Sequence, residues 1–450
     1  MSHTKALIGI DWGTHSSKWT WSFLESDSQL TSGQFFRILR SDVRLDNNQR
    51  IFLSTEEPPS GSIFEFSLKG TLIRDPYGSF WEGHRRRSKL SLGELVSFSL
   101  WFLLGEAYES LCSRTGIEPD IVDVRFSLPN WVGSDNAAAA RSSYEQAARV
   151  ACQIFVKERR GWSRESTPSR EEWHSTVEAV LAELGISDDA EVIVATKDFA
   201  ALLQHTFIVA PGVSFRFVAE SSAVGLTGLR DVEAYLEGHK YLRKILVVDV
   251  GAGSTDIGYV LRTIPQGAGE ALIQLPPANT CRFAGEELSR SIVEIYRSRG
   301  DRITDAEAEL IKTMGEDKDW LNHPAVDEWR SRIADHVLSY VSALPDQRWL
   351  PEEPALQILI TGGSGVVIGL GEKILEAAKK GLERCAAPRK VIDATSLMKL
   401  RLEGPVANDA NRLAVALGAA SNDFPRLNYY TDLGPPMPHA PVRRVPGWTG

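Results

Sequence analysis

Cysteine is scarce in this chain. Four thiols, Cys112, Cys152, Cys281 and Cys385, lie far apart among 450 residues and form no CxxC pair. That excludes a disulfide-stapled scaffold, a zinc knuckle and a thioredoxin-like redox pair, and isolated thiols fit a reducing cytosol. Nine histidines form neither HExxH nor HxH, so no zinc enzyme is indicated. Long apolar runs are missing too. The longest, near Leu95–Leu104, is interrupted by Ser97 and Ser99 and is about half a membrane span. At the N-terminus one Lys precedes a short apolar stretch broken by Gly9, too little for a secretory signal. The expectation is a soluble cytoplasmic protein. Positive charge is outnumbered, 50 Lys and Arg against 59 Asp and Glu, and the net charge of −9 disfavours a nucleic-acid partner. The densest basic run, Arg85-Arg86-Arg87, reads as a solvated loop.

What is present is ordinary globular composition, 43% hydrophobic and 24% charged. Length alone suggests about three domain-sized units. Apolar runs predict strands over Ala6–Ile10, Ile121–Leu128, Glu191–Ala195, Phe215–Val218, Ile245–Val248 and Leu356–Ile360. Trp19, Trp21 and Phe23 alternate with polar residues and predict the second strand of a hairpin. Helices are expected over Ser91–Ser113, Ala137–Ile154, Val177–Leu184, Gly285–Arg299, Ala306–Met314, Trp329–Leu344 and Leu413–Ala420. Residues 40–62 read as loop and residues 157–175 as an exposed connection. The segment from Pro425, with six prolines, reads as an extended or disordered tail.

Two segments echo each other. Each is an apolar strand running into D-x-G-x-x-S: Asp11, Gly13 and Ser16 in one, Asp249, Gly251 and Ser254 in the other, 238 residues apart. The echo implies two related α/β halves, each opening with strand, turn and strand. Glycine lets backbone approach a ligand closely, and successive N–H groups then form an anion nest. Hydroxyls of Thr14, Ser16, Ser17, Ser254 and Thr255 add donors. A carboxylate at the strand end cannot stabilise phosphate directly, but it can hold hydrated Mg²⁺, which takes one or two carboxylates plus phosphate oxygens. Gly362-Gly363-Ser364-Gly365 is a third glycine turn after a strand, suited to lie flat against an adenosine. Jointly the three turns point to a nucleotide clamped between the halves.

At this point a resemblance carries further. GIDWGTHSS, FVAESSAVGL, VVDVGAGSTDIG, ITGGSG and RLAVALGAA occur in that order. They resemble the phosphate loops, adenosine loop and two connecting segments of the actin-like ATPase superfamily, specifically the seventy-kilodalton heat-shock (DnaK-type) chaperones. LPNWVGSDNAAAARSSYEQAA and Phe283–Leu288 are weaker echoes of the same family. The resemblance implies two duplicated, ribonuclease-H-like α/β lobes flanking a nucleotide cleft. The first lobe would be 1–226 with an insertion at about 157–217, the second 227–424, followed by a Pro-rich tail at 425–450.

It also implies ligands and roles: ATP or ADP with Mg²⁺, positioned through its waters by Asp11 and Asp249. Glu220 falls on the family's catalytic glutamate, and Asp256 would orient the attacking water. Gly13, Thr14, His15, Gly251, Ala252, Gly253 and Ser254 would contact phosphates, and Gly362, Gly363 and Ser364 the adenosine. Lys69 is either the catalytic lysine or a surface lysine. Glu309 and Lys312 either hold the ribose and base or form a solvated i,i+3 ion pair. The chain departs from the family at Val366, where the chaperones have Arg, at His15 for Thr, and at Ala252 for Gly. Only 30 residues follow Ala420, so the likeness covers the ATPase half without a peptide-binding domain. The expected activity is ATP hydrolysis, with lobe closure regulating a protein partner in a chaperone-like way. The alternatives are an actin-like filament of self-associated copies and a nucleotide-binding scaffold with little hydrolysis. No membrane partner is expected.

Overall fold

The computed structural model describes residues 4–25, 28–29, 36–46, 49–53, 63–65, 68–74, 80–81, 88–129, 136–164, 167–187, 199–225, 242–263, 272–275, 279–281, 283–314, 319–343, 355–383, 390–393, 395, 406–420 and 427–429. The strand expected over Glu191–Ala195, the Arg85–Arg87 run and Cys385 lie outside them.

β1 (Lys5–Asp11) is apolar on both faces, so it is buried from both sides. The chain turns and returns as antiparallel β2 (Ser16–Glu25), burying Trp19, Trp21 and Phe23. β3 (Ser28–Gln29) and β4 (Phe36–Arg40) pair with β2. β5 (Val43–Leu45), β6 (Ile51–Leu53) and β7 (Ile63–Glu65) then form a separate sheet in the order β6-β5-β7. This corrects the loop expected over 40–62. Val43, Leu45, Ile51 and Leu53 are buried, and the charges that mimic a loop are internal: Arg44 donates from Nε to Asp42 at 2.7 Å.

After α1 (Leu68–Arg74), α2 (Leu92–Thr115) starts at a capping box, with the Ser91 side chain accepting from Glu94 N–H and the Glu94 carboxylate accepting from Ser91 N–H. It stops at Gly116 in the left-handed conformation, φ 68°. Nearly all of its first five turns are buried, as a helix apolar on all sides demands. β8 (Ile121–Leu128) ends at Pro129, and α3 (Ala137–Glu158) and α4 (Arg170–Leu184) follow. The exposed connection expected over 157–175 is wrong at its two aromatic residues. Trp162 and Trp173 are buried against Trp101 of α2, because indole burial outweighs the polar composition around them. After the short helix Phe199–Gln204, β9 (Phe207–Ala210) and β10 (Val213–Ala219) complete the first sheet, β3-β2-β1-β8-β10-β9. The segment expected as an insertion over 157–217 therefore ends in sheet strands.

The second half repeats the plan. β11 (Leu242–Val250) pairs antiparallel with β12 (Thr255–Thr263), which also takes β13 (Leu272–Leu275) and β14 (Asn279–Cys281). β11 pairs in parallel with β15 (Ala355–Thr361), and β15 with β16 (Lys390–Asp393). The run β2-β1-β8-β10 thus matches β12-β11-β15-β16: one antiparallel hairpin, then two parallel strands. Helices Gly285–Ser298, Asp305–Met314, Pro324–Ala343 and Leu370–Glu383 belong to this half. Each sheet has its own apolar core, one around Ile8, Phe98 and Phe126, the other around Val248, Ile292 and Ile358. β17 (Leu427–Tyr429), at the start of the expected tail, pairs in parallel with β13, so that stretch joins the second sheet.

Two small-residue helices lie between the sheets: residues 220–225, directly after β10, and Val406–Ala419. Val406–Ala419 packs on β1 although the lobe boundary read from sequence puts it in the second half. Ser22 Oγ donates to Ala420 O and Arg125 to Ala419 O, each at 2.9 Å. A side chain at Gly418 would collide with the Ala223 carbonyl, and one at Gly225 with Val260 of the second sheet. Glycine and alanine are what let the two helices cross this closely. No described helix is long and apolar enough to cross a membrane. Gly418→Val should cost about 1–3 kcal/mol and lower the thermal midpoint, whereas Ile208→Ala, at a side chain 82% exposed, should leave it unchanged; circular-dichroism melts of both variants check this.

Candidate functional site

The polar residues that converge do so at the carboxyl ends of the parallel strands, where open α/β sheets commonly place ligands. Asp11 ends β1, Ser127 nears the end of β8, and Glu220 follows β10. Asp249 nears the end of β11, and Thr361 ends β15.

On the first half Lys18 Nζ donates to Asp11 Oδ2 at 2.9 Å. Ser127 Oγ lies 3.1 Å from Asp11 Oδ1 and 3.3 Å from Glu220 Oε1, bridging the two carboxylates. Lys69, on α1, donates to Glu220 Oε1 at 2.6 Å and is buried, so it is no surface lysine. Under the turn Trp12 stacks on Tyr144 of α3, ring centroids 5.2 Å apart. Tyr144 OH donates to Ser127 O at 3.2 Å.

On the second half Thr361 Oγ1 donates to Asp249 Oδ1 at 3.2 Å. Asp256 accepts from Ser254 at 2.8 Å and Thr280 at 2.6 Å. Gly362 must be glycine twice over: its φ is 85°, and a side chain would press on Val250 O and Asp249. Ser364 is buried, its N–H donating to Val250 O at 3.0 Å, while Gly363 has open space around it. The Gly251–Ser254 turn docks on the start of helix Gly285–Ser298, with Gly285 N–H donating to Gly251 O and Glu286 N–H to Ala252 O.

The two echoing turns face each other across the halves. A Cβ built on Gly253 would sit 3.1 Å from Thr14 Oγ1. His15 Nε2 reaches Glu309 Oε1 at 3.6 Å. Glu309 pairs with Lys312 at 2.7 Å, and Lys312 also donates to Gly285 O and Ser289 Oγ. Lys312 is buried, which removes the solvated-pair alternative for these two residues. Among the described residues no backbone carbonyl accepts from the N–H groups of Thr14, Ala252 or Gly253, which lie in these turns.

Charge is concentrated here. Asp11, Glu220, Asp249 and Asp256 are 5, 5, 7 and 1% exposed. Burial pushes the Asp249 carboxyl up to about 8, helped by Glu220, Asp256 and Asp11. Burial pushes Glu220 up to about 7 against the pull of Lys69. Burial alone would lower the Lys69 ammonium, but Glu220 and Asp11 raise it, so Lys69 stays charged. Burial lowers Lys312 despite Glu309. Glu309 is also lowered, because Lys312 and His15 outweigh its burial. The site is thus short of positive charge. Among the described residues no three His, Cys, Asp or Glu side chains cluster to chelate a metal by themselves. Asp11 and Asp249 instead suit a hydrated divalent ion shared with an anionic ligand.

Lys18, Ser127, Tyr144, Thr280 and Thr361 escape the sequence reading. Lys18 had a signal: register pairs Asp11 with Lys18 and Asp249 with Asp256, each seven residues along the same echo. Ser127 and Thr361 could be found by asking which residues close the parallel strands. No protein-family model matches the chain, and no curated protein matches it.

A carboxyl raised on folding binds more protons in the folded state. Its ionisation therefore removes stability as pH climbs from the unfolded value of 3.8 toward about 8. In buffer free of divalent cations, Asp249→Asn should melt above the parent at pH 8, with the gain shrinking toward pH 5. A variant no more stable at pH 8 contradicts this.

Proposed function

We propose that the chain is an ATPase module of the actin-like, DnaK-type kind, which binds ATP with Mg²⁺ and hydrolyses it to ADP and phosphate. The observation that carries the reading is the meeting of two duplicated hairpin turns, each backed by a buried aspartate, across the interface of two like-built halves. Unpaired amides in facing turns suit the β- and γ-phosphates of one nucleotide. The turn Gly362–Ser364, with Glu309 and Lys312 nearby on the same half, suits the nucleoside end.

Asp11 and Asp249 would hold the metal through its waters. When bound, Mg²⁺ would supply positive charge that offsets the charge of the phosphates. Glu220 orients the attacking water, and its raised pKa leaves it able to accept a proton near neutral pH. Lys69 fixes Glu220 and brings a permanent positive charge toward the transferred phosphoryl group. Lys18 neutralises Asp11, and its removal would leave a buried charge unpaired, at about 3–5 kcal/mol. Tight crossing of the two small-residue helices gives the halves a place to pivot, so that cleft closure could follow the nucleotide state and be read by a protein partner.

Lys69→Ala and Glu220→Ala should each lower phosphate release by roughly a hundredfold or more while ATP affinity stays within about threefold. Asp11→Ala and Asp249→Ala should lose the Mg²⁺-dependent part of binding. Calorimetry and a phosphate-release assay check both pairs. Parent-like turnover in all four variants overturns the reading, and tight binding without release in the parent turns it into a non-hydrolysing scaffold.

A further inference from the structure

Lys18 acts on both of the aspartates that suit a metal. It alternates with Trp19, Trp21 and Phe23, which pack into the first core, and so shares the opposite face of β2 with Thr20 and Ser22. That face meets helix Val406–Ala419 through Ser22. The Lys18 ammonium donates to Asp11 Oδ2 at 2.9 Å, and only 12% of the side chain is exposed. It also borders the first glycine turn: a Cβ built on Gly13 would lie 3.6 Å from Lys18 Nζ. On the other half, burial first, then Glu220, Asp256 and Asp11, raise the Asp249 carboxyl, and Lys18 lowers it.

The hairpin does not need a cation at this position. In the second half the same register position is Asp256, held by the Ser254 and Thr280 hydroxyls, and the strands pair all the same. Nor is the ammonium saturated. It carries three N–H donors, and among the described residues Asp11 is the one acceptor that it bonds. Asp11 is met on both oxygens, by Lys18 on Oδ2 and by Ser127 Oγ at 3.1 Å from Oδ1. Among the described residues Asp249 accepts one side-chain bond, from Thr361 on Oδ1.

The two aspartates are therefore unequal. One is already bonded to a resident cation, and the other is not. A divalent ion approaching the empty site forfeits Asp11 as a ligand and meets repulsion from a fixed ammonium. Polyphosphate oxygens change that balance, because they offer the two idle donors charged acceptors of the same kind as Asp11.

We propose that Lys18 is a positioning residue that holds Asp11 in place of a metal while the site is empty, so that divalent ions are kept out until a nucleotide's phosphates draw the ammonium away. The inference rests on the nucleotide reading above and adds an order of loading: phosphates first or together with their metal, never metal alone. Manganese alone, added to the nucleotide-free full chain and followed by its paramagnetic resonance signal and by calorimetry, tests it. The parent should show no saturable Mn²⁺ binding below about 1 mM. Lys18→Gln keeps a donor for Asp11 without the charge, and it should bind Mn²⁺ at least roughly tenfold more tightly. The double variant Lys18→Gln/Asp11→Asn should lose that gain, and Lys18→Arg should exclude the ion as the parent does. Nucleotide affinity should move the other way: in EDTA, Lys18→Gln should bind ADP roughly tenfold or more weakly than the parent. A merely structural ion pair would shift the thermal midpoint without moving metal and nucleotide affinity in opposite senses. Saturable submillimolar Mn²⁺ binding by the nucleotide-free parent needs no variant and would overturn the proposal. So would a Lys18→Gln protein no tighter for Mn²⁺, or no weaker for ADP, than a parent that binds nucleotide. A parent that binds neither ATP nor ADP overturns the nucleotide reading itself, and with it the order of loading.

Discussion

Asp11, Glu220, Asp249 and Asp256 are buried within one another's electrostatic reach, and most of what is unusual in this molecule answers that fact. Two like charges 4 Å apart repel by about 4 kcal/mol at an effective dielectric near 20. That is comparable with the whole net stability of a domain, about 5–15 kcal/mol. Four such groups cannot all ionise without compensation. Lys18 takes Asp11 and Lys69 takes Glu220, while Asp256 is held by the Ser254 and Thr280 hydroxyls. Among the described residues Asp249 accepts one side-chain hydrogen bond, from Thr361, and burial first, then the neighbouring carboxylates, push its carboxyl up. Under the proposed function this deficit of positive charge is what Mg²⁺ would relieve, with the phosphates it accompanies meeting the amides of the facing turns.

The duplication explains how the deficit arises, and why it is lopsided. Both hairpins put an aspartate near the end of a buried central strand and another residue directly across from it. In the first half the cross-strand residue is Lys18 and the pair is self-neutralising. In the second it is Asp256 and the pair repels. Related backbones therefore carry opposite electrostatics, and the negative excess falls on the second half, beside the Gly362–Ser364 turn. The connecting helices set how close the halves come. Ala223, Gly225 and Gly418 have so little side chain that the crossing is governed by backbone contact.

The hairpins were legible because their signals are local: an apolar strand, a glycine turn, then alternation of large apolar and polar residues. The end of α4 was legible because Gly185 announces it, whereas α2 runs past the expected Ser113 to Thr115 before Gly116 stops it. Where long-range contacts decide, local signals fail. Arg44 looks like loop chemistry until Asp42 is seen to pair with it inside a sheet. The stretch after α3 looks solvated until Trp162 finds the bare backbone of Gly105. Spacing puts Glu309 and Lys312 on one helix face but cannot say whether that face meets water or His15. Lys69 is one lysine among many by sequence, and only the packing of α1 brings it to Glu220.

The central claim is that one polyanion is held by backbone groups of both halves at once. Hydrogen–deuterium exchange with and without ATP and Mg²⁺ reads those groups directly. The account predicts simultaneous slowing of exchange in the turns around Thr14 and around Ala252–Gly253, together with the Gly362–Ser364 turn. Protection confined to one half, or unchanged exchange at saturating nucleotide, would contradict it.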